Sequence, residues 1–166
     1  MAGLFCVFAV LSPLILRGVA FLLMSTPGSP REAQTQMEEL SASLHQFLPA
    51  HRDELEELRA AAQAGHELPD HTVQAILASP VEQADITHVY ARNGEIQIWL
   101  DNSRYAGKLY TQVTLGSGPP PLSDGTAAEE GQTFWDLNDG ASRGHYRYIE
   151  ILEDSWYADY ESITRG

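Results

Sequence analysis

The chain has 166 residues, of which 43% are hydrophobic and 20% are charged, and its formal net charge at pH 7 is −13. This length allows one globular domain, or one domain with an appendage. The acidic balance argues against binding to nucleic acid, which requires clustered lysines and arginines. A single cysteine, Cys6, excludes an intrachain disulfide framework and a cysteine-based zinc or iron–sulfur centre.

Residues 4–24 form an apolar run, LFCVFAVLSPLILRGVAFLLM, that is long enough to cross a bilayer as a helix. Pro13 removes a helix hydrogen bond, and Arg17 costs about 2.5–3.5 kcal/mol near the centre of a membrane. No basic side chain precedes the run, which is unlike a cleaved secretory signal. We therefore expect residues 1–24 to form an uncleaved apolar helix that anchors the chain in a membrane.

Two other interpretations of this run stay open. Met24 is a possible true start of translation, which would give a cytoplasmic protein, and the run is also compatible with a cleaved signal or a buried helix. By the positive-inside rule, Arg31 on the C-terminal flank weakly favours a body in the cytoplasm. Short N-terminal tails commonly stay inside, so we expect a single-pass protein whose body lies outside the cytoplasm.

The segment that follows changes from linker-like to helical. Residues 25–31 have the turn-rich composition of a linker. Residues 32–80 then show the helical hydrophobic period. A first helix with an apolar face is expected to end at Pro49, and a second is expected over about His51 to Ala64.

Gly65 follows the second helix as a left-handed stop, and Asp70 is predicted to be the N-cap of a short third helix. The first two helices are expected to pair as a hairpin.

From Asp85 onward the hydrophobic period changes to two, which predicts strands. The dipeptide Asn93-Gly94 favours a tight hairpin turn between the first two. A third strand is expected over residues 108–115, an exposed loop over 116–131, and two further strands that turn near residues 153–155.

These elements together predict an α+β fold. A helical hairpin and a short helix, over residues 32–80, are expected to pack on an antiparallel sheet of about four to six strands over residues 81–166. The helical segment and the sheet would form one domain.

The sequence predicts no catalytic, cofactor or metal site. The motif His66-Glu67-x-x-x-His71 is one residue longer than the zinc-protease spacing, and Pro69 interrupts it. The glycines beside Ser117 are displaced from those of a nucleophile elbow. One enzymatic interpretation is left open, a hydrolase built from His88, Asp101 and the segment 116–131, which requires these groups to meet in a pocket.

Seven aromatic residues are concentrated in the predicted strands, among acidic residues: Trp99, Tyr110, Tyr146, Tyr148, Trp156, Tyr157 and Tyr160. Such rings can form a recognition face for a basic protein or a sugar ring, and they can equally pack in the core and across strands. We expect a non-enzymatic, membrane-anchored module that binds a protein partner, and the acidic residues around the rings suit a basic one. The alternative is a soluble acidic immunity or inhibitor protein that starts at Met24 and binds a basic toxin or nuclease.

Overall fold

The computed structural model describes residues 30–104, 109–120, 133–136 and 145–164. Three helices and six strands are present in these residues: α1 (Pro30–Ala50), α2 (Arg52–Gln63), α3 (Asp70–Leu77), β1 (Asp85–Arg92), β2 (Glu95–Asp101), β3 (Leu109–Ser117), β4 (Thr133–Asp136), β5 (His145–Ile151) and β6 (Trp156–Thr164). The predicted α+β class is confirmed, with helices packed on an antiparallel sheet. The apolar run over residues 4–24 lies outside the described residues. Within the part of the chain that the structure describes, no helix is both long and apolar enough to span a bilayer.

The helix boundaries differ from the predicted ones by one or two residues. Helix α1 begins at Pro30, inside the predicted linker, because proline lacks an N–H and its fixed φ suits the first turn of a helix. Gly65 has φ +68° and stops α2 as predicted. The predicted N-cap Asp70 was wrong by one position: Pro69 is the cap, and Asp70 lies in the first turn, where the helix dipole favours a carboxylate.

The six strands form one antiparallel sheet in the order β1-β2-β3-β6-β5-β4. Two three-stranded meanders, β1 to β3 and β4 to β6, are joined by the pairing of β3 with β6 from Leu109↔Thr164 to Ser117↔Trp156. The centre of the sheet is therefore built from strands that are far apart in sequence. Strand β4, which pairs with β5, was not predicted, because four residues are too few to show an alternating pattern.

Both predicted turns are confirmed. Asn93 and Gly94 have φ values of +55° and +81°, as the tight primed turn requires. Residues 153–155 form a 3₁₀ turn between β5 and β6. Arg52 Nη2 donates to Asp154 Oδ2 at 2.9 Å, and Arg59 Nη2 donates to the Asp154 carbonyl at 2.8 Å, so α2 holds this turn against the helical layer.

The helices lie against one face of the sheet, which we call the covered face; the opposite face is the open face. Helix α1 contacts β3, β5 and β6, whereas α2 contacts β2 and α3 contacts β1. Strand β2 shows the predicted alternation, since Ile96, Ile98 and Leu100 are buried in the main core while Trp99 projects from the other face.

Candidate functional site

The seven aromatic residues singled out in the sequence divide between the two faces of the sheet. Alternation along the strands puts four of them, Tyr146, Tyr148, Trp156 and Tyr160, on the covered face. The other three, Trp99, Tyr110 and Tyr157, lie on the open face. The seven side chains therefore do not form one surface.

Tyr160 is fully buried on the covered face and takes part in a polar network. Its hydroxyl donates to Glu150 Oε2 at 3.0 Å, and Glu150 Oε1 lies 3.0 Å from His45 Nε2 on α1. Burial, with the nearby Glu150 carboxylate as the second cause, raises the pKa of Tyr160 well above its usual value of 10.0. This ring thus remains a neutral donor that helps to fasten the sheet to α1. Tyr148 packs against it, with ring centroids 5.4 Å apart.

Trp156 is also buried, beneath helix α2. The guanidinium of Arg59 lies 4.9 Å above the centre of its ring, a cation–π contact within the structure. The Trp156 ring is therefore a core element and is not accessible to a partner in this structure.

Tyr157 lies on the open face but is only 4% exposed. Its ring crosses the backbone of Gly116, where a Cβ would come within 2.3–2.5 Å of two ring atoms and the hydroxyl oxygen. With Ile149 and Ile151 it forms a small apolar cluster, separate from the main core. Burial first, and then the carboxylates of Glu95 and Asp159, raise the pKa of Tyr157. This end of the open face is closed by its own side chains.

Trp99 has the opposite setting. Its side chain is 45% exposed, and it is the one large hydrophobic residue that is exposed among the residues the structure describes. His88 on β1 is paired with Trp99 and packs against the indole, with ring planes at 69° and ring centroids 5.8 Å apart. Tyr90, also on β1, packs against the indole with ring planes at 79° and centroids 5.6 Å apart. Edge-to-face contacts of this kind are favourable for aromatic pairs. The indole is thus held in place by two neighbours while much of it stays in contact with solvent.

Beside Trp99 the open face contains a concavity of about 470 Å³. Two rows of paired residues run across it, Trp99 to Thr114 to Asp159 and Asp101 to Gln112 to Glu161. Because antiparallel neighbours in register lie side by side, β3 forms the floor and β2 and β6 form the two walls. We call this concavity the acidic groove; it is lined by Thr87, His88, Trp99, Leu100, Asp101, Gln112, Val113, Thr114, Asp159 and Glu161.

The charged side chains that line the groove are acidic. Asp101 lies on one wall, and Asp159 and Glu161 lie on the other, while none of the described residues that line it is a lysine or an arginine. Arg147, on β5, binds Asp159 through two hydrogen bonds, Nε to Oδ1 at 2.9 Å and Nη2 to Oδ2 at 2.6 Å. Asp101 Oδ1 accepts a hydrogen bond from the backbone N–H of Ser103. The described lining thus contains three carboxylates, and Arg147, which binds Asp159, also stands opposite Glu161 in the register of β5 and β6.

Two residues of the hydrolase interpretation, His88 and Asp101, do meet in this groove. Nδ1 of His88 lies 3.1 Å from the hydroxyl of Thr87, and its ring packs on Trp99. The segment 116–131 is described only as far as residue 120. Among the described residues there is no group of three or more potential metal ligands.

Most of the residues that line the groove were not singled out in the sequence. The alternation of β2 does place Asp101 on the same face as Trp99, so that part of the signal was present. The opposite wall depends on the pairing of β3 with β6, for which the sequence has no local signal.

No protein-family model, no curated protein and no solved structure matches this chain at a significant level.

Proposed function

We propose that this chain is a non-enzymatic protein-binding module whose acidic groove binds a basic segment of a protein partner. One observation carries the proposal: the half-exposed indole of Trp99 stands beside a concavity with carboxylates on both walls. Tryptophan is enriched among the residues that dominate binding energy at interfaces, and charge complementarity favours a basic occupant.

The neighbours of Trp99 support a binding role, in addition to its exposure. His88 and Tyr90 restrict the indole before any partner arrives, and a side chain that is already ordered loses less entropy on binding. The floor of the groove is strand β3, which pairs with a neighbour on each side and is rigid for that reason. The surface is therefore preorganised.

We also propose that residues 4–24 anchor the module in a membrane as a single span, with the body outside the cytoplasm. The alternative, a soluble inhibitor of a basic toxin or nuclease that starts at Met24, would use the same groove. It draws support from charge: removing residues 1–24 removes Arg17 and no acid, so the formal net charge changes from −13 to −14. Strong acidity accelerates association with a basic partner.

Binding is tested with the full-length chain in zwitterionic lipid nanodiscs, which do not attract basic peptides. Peptides of equal length with basic, neutral or acidic sequences are titrated at low and high salt. We expect the basic peptides alone to bind, and more weakly at high salt, because exposed charges are screened.

The double variant Asp101→Asn/Glu161→Gln should abolish this binding. The variant Glu38→Gln/Glu39→Gln is the matched control, since it removes the same charge from exposed positions on α1. Equal binding by both variants would contradict the proposal, as would binding of oligosaccharides in place of basic peptides.

The anchor is tested separately by fractionation of cells that express the full chain with a C-terminal tag. We expect the intact chain to stay in the membrane pellet after a high-salt wash and the tag to be digested by protease added from outside. A soluble product whose mass matches a chain that starts near Met24 would contradict the anchor proposal and favour the soluble inhibitor.

A further inference from the structure

Strand β1 forms one edge of the sheet. Among the described residues it pairs with β2 alone. Arg92 and Glu95 flank the two-residue turn and bond to each other through the backbone, and bonding then alternates along the strand. The N–H and C=O groups of Val89 and Ala91 therefore point away from β2, and no hydrogen bond joins them to another described backbone group. Such an edge is a template on which a further strand can pair.

This edge is accessible from both faces of the sheet. His88 and Arg92, on the open face, are exposed. On the covered face, α3 contacts β1, yet Ala91 is exposed as well. The helical layer therefore leaves the part of the edge near the hairpin turn uncovered.

The register of β1 against β2 is symmetric about Val89. It gives β1 seven paired positions, because Thr87 is skipped at a bulge. These positions are Asp85, Ile86, His88, Val89, Tyr90, Ala91 and Arg92. If a second copy pairs antiparallel about the central Val89, the outward backbone groups of Val89 meet those of Val89 in the second copy. Those of Ala91 meet Ile86 of the second copy in the same way.

The side chains on the open face are also complementary in this arrangement. His88 lies opposite Tyr90 of the second copy, which extends the ring contacts around Trp99 across the edge. Arg92 lies opposite Asp85 of the second copy, so each end of β1 meets a residue of opposite charge. Aromatic pairs and opposite charges in facing positions both stabilise antiparallel strands.

The charges at the ends of β1 favour this contact. Arg92 is exposed and forms no ion pair with a described residue. Asp85 lies opposite Asp101 on β2, and like charges in facing positions repel. Arg104 Nη1 lies 3.3 Å from Asp85 Oδ1. Because a carboxylate has about four acceptor sites, it can receive a second guanidinium beside the first.

We infer that this chain forms a homodimer in which β1 pairs antiparallel with β1 of a second copy about Val89. The contact is symmetric and uses the whole edge, while β4 at the other edge has four residues, so the assembly closes at two copies. The formal charge of −13 on each copy opposes association, but exposed charges more than about 8 Å apart are largely screened at physiological salt. The two open faces then point to the same side, and the dimer presents two acidic grooves together.

Cysteine cross-linking of the full-length chain, in lysed cells whose membranes are left intact, tests the register. Cys6→Ser removes the native thiol, and Val89→Cys puts one thiol at the symmetry axis. Facing Cα atoms in a hydrogen-bonded pair are about 5.5 Å apart, a distance that a disulfide spans, so a mild oxidant should produce a covalent dimer. Ala91→Cys in the same background is the matched control. Its Cα atoms would be about 14 Å apart, so it should stay monomeric.

Sedimentation equilibrium of the full-length chain in a density-matched zwitterionic detergent measures the affinity of the dimer. Val89→Pro removes an outward backbone donor and places a ring on the edge, so it should weaken the dimer at least about tenfold. Val89→Ala is its control, since it also shortens the side chain but keeps the N–H, and it should weaken the dimer less. Circular dichroism and the urea midpoint establish that each variant is folded.

A second variant does not alter the backbone. Arg92→Glu turns two attractive pairs into repulsive ones and should weaken the dimer about tenfold. Arg31→Glu changes the charge equally on α1 and should leave the affinity unchanged. If Val89→Pro fails to fold, Arg92→Glu and the cross-link decide the question.

Three results would overturn the inference. The first is a wild-type chain that stays monomeric up to about 100 µM, beyond the range expected for an interface of this size. The second is a dimer of equal strength in Arg92→Glu, which would mean that another surface joins the copies. The third is equal cross-linking at positions 89 and 91. None of these measurements involves peptide binding, so failure of the dimer would leave the proposed function of the groove standing.

Discussion

The two faces of the sheet contain the same kinds of residue in opposite settings. On the covered face, Tyr160 and His45 enclose the Glu150 carboxylate inside the fold. On the open face, Trp99 and Asp101 line a concavity that remains open to solvent. Both faces are built by alternation along the same strands, so the difference arises from what packs on each face.

An aromatic residue in a strand therefore has no fixed role. Trp156 and Trp99 are both strand tryptophans, yet the first lies under α2 and the second has no helix above it among the described elements. The open face is itself divided, because the Tyr157 cluster closes one end and the acidic groove occupies the other.

The largest effect is expected at Trp156. Replacing this buried ring by alanine should lower the free energy of unfolding by about 3–5 kcal/mol, because a large cavity opens beneath α2 and the ring that Arg59 covers is lost. The measurement is urea denaturation followed by circular dichroism. Trp156→Phe is the control and should lose less. A loss for alanine below about 1 kcal/mol would show that the covered face is not tightly packed there.

The polar network of the covered face gives the next effect. Tyr160→Phe removes the hydroxyl that donates to buried Glu150, which should cost about 1–3 kcal/mol at pH 7. The variant should also change how the stability of the protein depends on pH in the alkaline range. Because the pKa of Tyr160 is raised in the folded state, its contribution is complete below pH 10 and is lost above it, where the unfolded chain releases the proton first.

Urea midpoints measured from pH 8 to pH 11 check this sign. The stability of the wild-type chain should fall above pH 10, and that of Tyr160→Phe should fall less steeply. Some decline should remain in the variant, since burial also raises the pKa values of Tyr157 and Tyr146. Parallel curves would show that the Tyr160 hydroxyl does not control the alkaline transition.

The closed end of the open face is tested at Gly116. A Cβ at this position collides with the ring of Tyr157, so Gly116→Ala should cost about 1–3 kcal/mol through overpacking. The cost should be much smaller in a Tyr157→Ala background, where the ring is absent. A double-mutant cycle from urea denaturation gives the coupling. Equal costs in both backgrounds would mean that the glycine is required for another reason.

Local physics accounts for the elements that the sequence predicted well. The helical period over α1, the left-handed stop at Gly65 and the Asn93-Gly94 turn each depend on neighbours within a few residues. The alternation of Ile96, Ile98 and Leu100 likewise requires a single strand. Such features can be read from the chain because the interactions that produce them are short-range.

The candidate site depends on contacts that no local pattern contains. Asp101 on β2 and Glu161 on β6 face each other because both strands pair with β3. The pairing of β3 with β6 joins residues that are about fifty positions apart in the sequence. The division of the aromatic residues between the two faces follows from the same register and from the placement of the helices. Sequence alternation gives two faces for each strand, but it does not say which face the helices will cover.

The smallest effect on stability is expected at Trp99, and it is the most informative. Trp99→Ala removes contacts with His88 and Tyr90 and some strand preference, so it should cost no more than about 1 kcal/mol in urea denaturation. The same variant should weaken the binding of basic peptides in the groove. Trp156→Ala should do the reverse: it should lower stability strongly, while the residues that line the groove stay unchanged. A loss at Trp99 as large as that at Trp156 would mean that the indole supports the sheet, and the distinction between a structural face and a binding face would then fail.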